Sequence, residues 1–295
     1  MCYTSILPPR KRVLCHREQH REQKPDRRSF AVRQSGSRLH WVRKSNGVGF
    51  AVGQATGQPS LATLWGFFDK AYCISLEERI DRRQEAERQF QSVGLANKVE
   101  FVIVKKHPTD NERGIYESHL ECFRRGIGAG ARNMLVFEDD VVFDRFSIGV
   151  LANCINFMST HDGWKIFFFG CLTSGSRRTA NSSVLKVRYR SLAHAYAVRR
   201  NLAERLLTLP WRQHPYDAVL SSLGIDYYAA YPSFAFQSNA GSNNPRLRKM
   251  DRWRRICGGL LRIQKMDEFY HQHKWTVIGI QVFLIGILLM LIIGA

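Results

Sequence analysis

Apolar residues fall into three regimes along this chain. Up to about residue 60 no apolar periodicity is sustained. Between residues 67 and 248, short apolar runs alternate with stretches whose apolar positions recur every three or four residues. From Thr276 to Ile293 there is no charged residue at all. The apolar runs predict strands at 71–76, 99–104, 133–137, 164–169, 184–189, 195–198 and 227–231. Between them, Ala86, Phe90 and Val93 form a helical stripe that Gly94 is expected to end. Tyr116, Leu120, Phe123 and Ile127 form a second stripe, opened by Gly114. Ile148, Leu151, Ile155 and Met158 form a third, and Leu202, Leu206 and Leu209 a fourth. Strands alternating with helices predict an α/β domain with a largely parallel sheet flanked by helices.

The last regime predicts a membrane span over 275–294, since a run this long without charge covers a bilayer core as a helix. Trp275 suits the interface. Nine Lys/Arg residues lie between Arg246 and Lys274, against Asp251, Asp267 and Glu268. The segment 249–274 therefore reads as a basic juxtamembrane stretch that holds anionic lipid and keeps the domain on the cytoplasmic side. Residues 1–66 are rich in Arg, Lys, Gln, Ser and Gly and read as a basic, disordered extension, either passive or added by an upstream start codon.

Charge and cysteine usage narrow the class. The formal net charge is +19, but much of it sits in the two flanks, and no nucleic-acid module is recognisable, so nucleic acid is not the expected partner. Seven scattered cysteines make no C-x-x-C pair and no zinc spacing, which fits reduced thiols in a cytosolic compartment.

The candidate chemistry begins where the 133–137 strand runs into Glu138, Asp139 and Asp140. Three adjacent carboxylates repel one another and are costly to dehydrate, so a folded protein keeps them together for a cation; a solvated acidic turn is the plain alternative. Open α/β sheets place ligands at the carboxyl ends of strands, where this run lies. Glu138 and Asp140 have the alternate spacing that turns two side chains to one side, and an all-oxygen pair suits Mn²⁺ or Mg²⁺.

Gly114-Ile115-Tyr116-Glu117-Ser118-His119, an amphipathic helix, and a strand ending in Glu138-Asp139-Asp140-Val141 together resemble the pattern of glycosyltransferase family 25. That family includes bacterial lipooligosaccharide galactosyltransferases and procollagen galactosyltransferases. The similarity extends to 70–76 with Arg79, Asp81, Arg82 and Arg83, to Ala193-His194-Ala195-Tyr196, to Pro215-Tyr216-Asp217, and to Tyr231-Pro232 with Gln237. The loop between Val104 and Gly114 is shorter than is usual there.

The resemblance implies a GT-A-like nucleotide-binding sheet and transfer of a hexose, galactose or glucose, from a UDP-sugar to a saccharide or glycolipid acceptor such as lipopolysaccharide core. It implies donor contacts by Leu76, Arg79, Arg82, Ser118, His119, Asp139 and His194, with Glu138 and Asp140 on the metal. An inverting transfer needs a carboxylate base, for which Asp217 is the first candidate and Asp226 the reserve. The competing reading is a membrane scaffold that kept the fold and lost turnover. A nuclease or phosphatase would need a second set of metal ligands, which the sequence does not offer.

Overall fold

The computed structural model describes residues 59–238, 256 and 258–293. The expected N-terminal extension up to residue 58, and the first part of the basic segment before α7, lie outside the described residues. The elements are α1 (Leu61–Trp65), β1 (Lys70–Leu76), α2 (Ile80–Ser92), β2 (Val99–Val104), α3 (Asn111–Gly128), β3 (Asn133–Glu138), β4 (Val141–Phe143), α4 (Ile148–Thr160), β5 (Ile166–Phe168), β6 (Leu172–Arg178) and β7 (Val184–Ser191). There follow β8 (Ala195–Arg199), α5 (Arg200–Leu207), α6 (Tyr216–Ser221), β9 (Tyr227–Ala230), β10 (Ala235–Gln237) and α7 (Gly259–Ile293).

Eight strands form one sheet in the order β2-β1-β3-β8-β5-β9-β7-β6, and β10 pairs with β4 beside it. Only β1–β2, β1–β3 and β5–β9 pair in parallel. The sheet is therefore mixed, not largely parallel, because β8 runs antiparallel to both β3 and β5 and because β6 and β7 form a hairpin. Apolar runs cannot reveal strand direction, and the hairpin was hidden because β6, Leu-Thr-Ser-Gly-Ser-Arg-Arg, is mostly polar.

Strand residues alternate between two cores, as the period of two requires. Cys73, Leu135, Phe137, Ala195 and Phe167 face α1, α2 and α4. Tyr72, Met134, Val136, Tyr196 and Phe168 face α3, α5 and α6. Burial on both faces is why these strands read as near-continuous apolar runs. Two glycines permit the closest approaches. A Cβ on Gly126 of α3 would lie 2.1 Å from Met134 Sδ, and one on Gly170 would lie 1.8 Å from the Ala235 carbonyl oxygen.

The folded body starts earlier than the expected boundary at 67. Trp65 is buried and its Nε1 donates to the Val93 carbonyl at 2.7 Å. Helix α3 likewise starts ahead of Gly114, because Asp110 caps it through the Glu112 and Arg113 amides at 3.0 and 3.3 Å. Gly94, at φ +74°, follows the end of α2 as expected. Cys73, Cys122, Cys154 and Cys171 are free and buried.

The largest departure concerns α7. Its first half, expected as part of a basic juxtamembrane stretch, is docked on the body. Gln264 Oε1 accepts from the Gln237 amide at 2.8 Å, Asp267 Oδ2 from the Thr173 amide at 3.0 Å, and Glu268 Oε2 from the Ser233 amide at 2.6 Å. Gln272 Nε2 donates to Ser176 Oγ at 2.8 Å. These side chains recur at helical spacing on one face, which a count of charges overlooks. After a non-helical residue at His273, the helix continues with Trp275 at 75% exposed and Phe283 at 68%. Among the described residues α7 alone is long and apolar enough to cross a membrane.

Candidate active site

Strand β1 sends the chain through α2 to β2 on one side, whereas β3, its other neighbour, leads toward the opposite half of the sheet. Such a switch point opens a crevice at the carboxyl ends of the two strands. The last ladder bonds of β3 run from the Glu138 amide to the His194 carbonyl at 2.9 Å and from the Asp139 amide to the Ile74 carbonyl at 3.1 Å. The acidic run thus begins where β3 leaves the sheet, and Asp139 and Asp140 are buried.

After β1, the Arg82 guanidinium reaches the acids. Its Nη1 lies 3.4 Å from Asp139 Oδ1 and 3.5 Å from Asp140 Oδ2. Arg79 pairs with Asp81 at 2.8 Å, and Arg83 Nη1 turns back to Ser75 Oγ and the Leu76 carbonyl, each at 3.4 Å. The Leu76 carbonyl also accepts from the Arg79 amide at 3.0 Å, so Leu76 shapes the turn into α2. Gln237 Nε2 donates to Asp140 Oδ2 at 3.0 Å, while the buried Asp140 Oδ1 has no hydrogen-bond partner.

Burial, and then the charge of Glu138, push Asp140 up to about 7. Burial, followed by the charges of Asp217 and Asp139, pushes Glu138 up to about 8. Glu112, on the first turn of α3, adds to that rise and is a carboxylate that no sequence motif marked. Carboxylates held this far from their ordinary range are short of positive charge, with Arg82 acting against the rise in both.

His119 joins Glu138 from α3. Its Nε2 is 3.4 Å from Glu138 Oε1, its Nδ1 is 2.9 Å from Tyr196 Oη, and its ring stacks on Tyr216 at 3.9 Å. Burial lowers its pKa to about 3, more than the Asp217 charge raises it, so near neutral pH the ring is uncharged and the Glu138 contact is not an ion pair. Ser118 is buried beside it and donates to the Gly114 carbonyl at 2.6 Å. Gly114 has a packing role, since a Cβ there would meet His107 Cβ at 2.9 Å.

No family model matches this sequence, and no curated protein matches it. Among solved structures, the chain is similar to A197 from STIV, with a TM-score of 0.38 and 11% identity over 57% of this chain and 85% of that one. It is also similar to a glycosyltransferase involved in the glycosylation of the major capsid of PBCV-1, with 0.34 and 12% over 54% and 81%. A third is mannose-1-phosphate geranyltransferase from Thermus thermophilus, with 0.33 and 9% over 55% and 73%. At such scores and identities the likeness assigns neither an activity nor residue roles.

The structure places the remaining expected residues differently. His194 is fully buried, with the Ala235 and Leu192 carbonyls nearby, and burial lowers its pKa to about 4. Asp217 accepts from Tyr189 Oη at 2.5 Å and from the Leu192 and Ala193 amides at 3.0 and 3.1 Å. With three donors on one carboxylate, Asp217 ties the β7–β8 turn to α6. Asp226 pairs with Lys186 at 2.6 Å, away from the acids.

Whether a divalent ion fits can be judged from the donors. Among the described residues no three His, Cys, Asp or Glu side chains converge on a point. Mg²⁺-type ions, however, often take only one or two carboxylates and leave the other positions to water and phosphate. The partnerless Asp140 Oδ1 and the raised Glu138 and Asp140 meet that smaller demand.

Proposed function

We propose that this protein is a nucleotide-sugar-dependent glycosyltransferase held at a membrane by the second half of α7. The observation that carries the reading is the under-neutralised acidic cluster at the β1/β3 switch point, faced by Arg82. Glu138 and Asp140 would hold Mn²⁺ or Mg²⁺, which when bound supplies Lewis-acid stabilisation of a leaving diphosphate. Arg82, beside Asp139 and Asp140, would offer its guanidinium to the same phosphates. Asp139 and the loop after Leu76 border the place for the nucleoside, and neutral His119 lies against Glu138. UDP-galactose or UDP-glucose is the proposed donor. The acceptor is a saccharide on a lipid carrier or on lipopolysaccharide core at the cytoplasmic face, as the basic residues before the span favour.

The test is calorimetric titration of UDP into the full chain in detergent, with and without Mn²⁺. Metal-dependent binding that disappears in Glu138→Ala/Asp140→Ala supports the reading, whereas absence of UDP binding to folded protein refutes it. The three donors on Asp217 favour a second reading, a scaffold without turnover. Slow hydrolysis of UDP-galactose or UDP-glucose would exclude that one.

A further inference from the structure

We infer that the tip of the β6–β7 hairpin, through Arg177 and Arg178, is a docking surface for anionic lipid head groups; this rests on the membrane reading of α7. The first observation is register. Strand β6 and α7 climb in the same direction, since Thr173 meets Asp267 and, further on, Ser176 meets Gln272. Three strand residues rise about 10 Å and five helical residues about 7.5 Å, so the two advance nearly together. Two more strand residues bring Arg178 level with about residue 276, where the uncharged run begins. The hairpin therefore ends at the height at which Trp275, at 75% exposed, enters the interface.

The second observation is charge. From Leu172 to Ser191 the chain has five Lys/Arg and no acid. Three of the five are committed or remote. Lys186 is paired with Asp226, Arg188 donates to the Ser174 carbonyl at 2.9 Å, and Arg190 lies at the far end of the ribbon, opposite Leu172 and Thr173. Arg177 and Arg178 are exposed at the tip. The Arg178 guanidinium lies over the Tyr231 ring at 5.4 Å, which orients it without neutralising it. The turn beyond them, Thr179-Ala180-Asn181-Ser182-Ser183, is uncharged; Ala180 and Ser182 are exposed at its tip, while Asn181 and the buried Ser183 fix it to Asn153 of α4. Lys274, its Nζ 5.2 Å from the Trp275 ring, adds a third cation at that height. Guanidinium groups suit the phosphates of lipid head groups because they bind them bidentately.

The experiment is hydrogen exchange of the full chain in nanodiscs of phosphatidylcholine alone and in a phosphatidylcholine–phosphatidylglycerol mixture. Amides of residues 177–183 should exchange at least about fivefold more slowly in the anionic discs, and Arg177→Gln/Arg178→Gln should abolish the difference while leaving β3 exchange unchanged. Equal exchange of the hairpin in both discs, or a lipid effect that survives in the variant, overturns the inference. Alkaline carbonate extraction of the unmodified chain from vesicles separates this failure from that of the membrane reading. A chain that washes off overturns both, and one that stays while its hairpin ignores lipid charge overturns the docking surface alone.

Discussion

Removing the two raised carboxylates should change how stability depends on pH in a way worked directly from the structure. Glu138 is raised from 4.5 to about 8 and Asp140 from 3.8 to about 7, burial being the main cause for both. An acid raised in the folded state favours folding most below its unfolded pKa, and that contribution is lost as pH rises through the folded value. His119 and His194 act in the opposite sense, because burial lowers them from 6.5 to about 3 and about 4, and their contribution is lost as pH falls below about 6.5. Well above that pH they are neutral in both states. Between about pH 6.5 and pH 8, then, the two acids together should cost on the order of 2 kcal/mol, Glu138 the larger part. The Glu138 share is a ceiling, as 28% of its side chain still meets water. A total on the order of 2 kcal/mol lowers the Tm of a domain this size by ~4–8 °C. In Glu138→Gln/Asp140→Asn the fall should vanish, since the amide oxygen introduced in place of the Asp140 carboxylate can still accept from Gln237. Thermal unfolding followed by circular dichroism, in detergent with a chelator, measures both slopes. Parallel slopes for the two proteins would refute the reasoning. Adding Mn²⁺ in place of the chelator should raise the unmodified protein's Tm more at pH 8 than at pH 6.5, because the ion competes with protons.

Three further outcomes are expected. Asp217→Asn deprives one of the Leu192 and Ala193 amides of its acceptor and should cost about 1–3 kcal/mol in urea unfolding while UDP affinity stays within a few-fold; unchanged stability with turnover abolished would restore the base role. Gln264→Ala leaves the Gln237 amide without its partner and should weaken Mn²⁺ binding, read by paramagnetic relaxation of water, through loss of the Gln237–Asp140 contact; unchanged Mn²⁺ affinity would show that α7 does not support the acids. Gly170→Ala drives a Cβ into the Ala235 carbonyl and should cost about 3 kcal/mol or more in urea unfolding. A wild-type midpoint would mean β10 shifts freely.

The parts that were legible in the sequence are those written in short-range pattern. The run at 195–198 closely matches β8, because a strand buried on both faces needs apolar residues at every position; the run at 99–104 matches β2, an edge strand of which Val102 alone is buried. The acidic run stood out because its charge density costs energy wherever it is not used. His119 could be found because it borders the α3 stripe. What stayed hidden is long-range. Nothing local marks Tyr189 and two backbone amides as partners that occupy Asp217. Strands β4 and β10 are three residues each and exist through pairing with each other. The docking of α7 could have been seen in the spacing of Gln264, Asp267, Glu268 and Gln272, four hydrogen-bonding side chains on one face of a segment otherwise read as a basic juxtamembrane stretch.

That docking also sets a distance. Gln264 holds the strand that holds Asp140, so the acids lie close to the level of Gln264 along the helix. Trp275 lies eleven positions beyond Gln264 in α7, about 16 Å at the helical rise. With Trp275 at the bilayer edge, the reaction would take place at that elevation, on a stalk that bends only at His273. A hydroxyl on the first sugar of a lipid carrier would lie beneath the crevice. The free end of a longer glycan would reach it, so the length of the acceptor, as well as its chemistry, would decide what is modified.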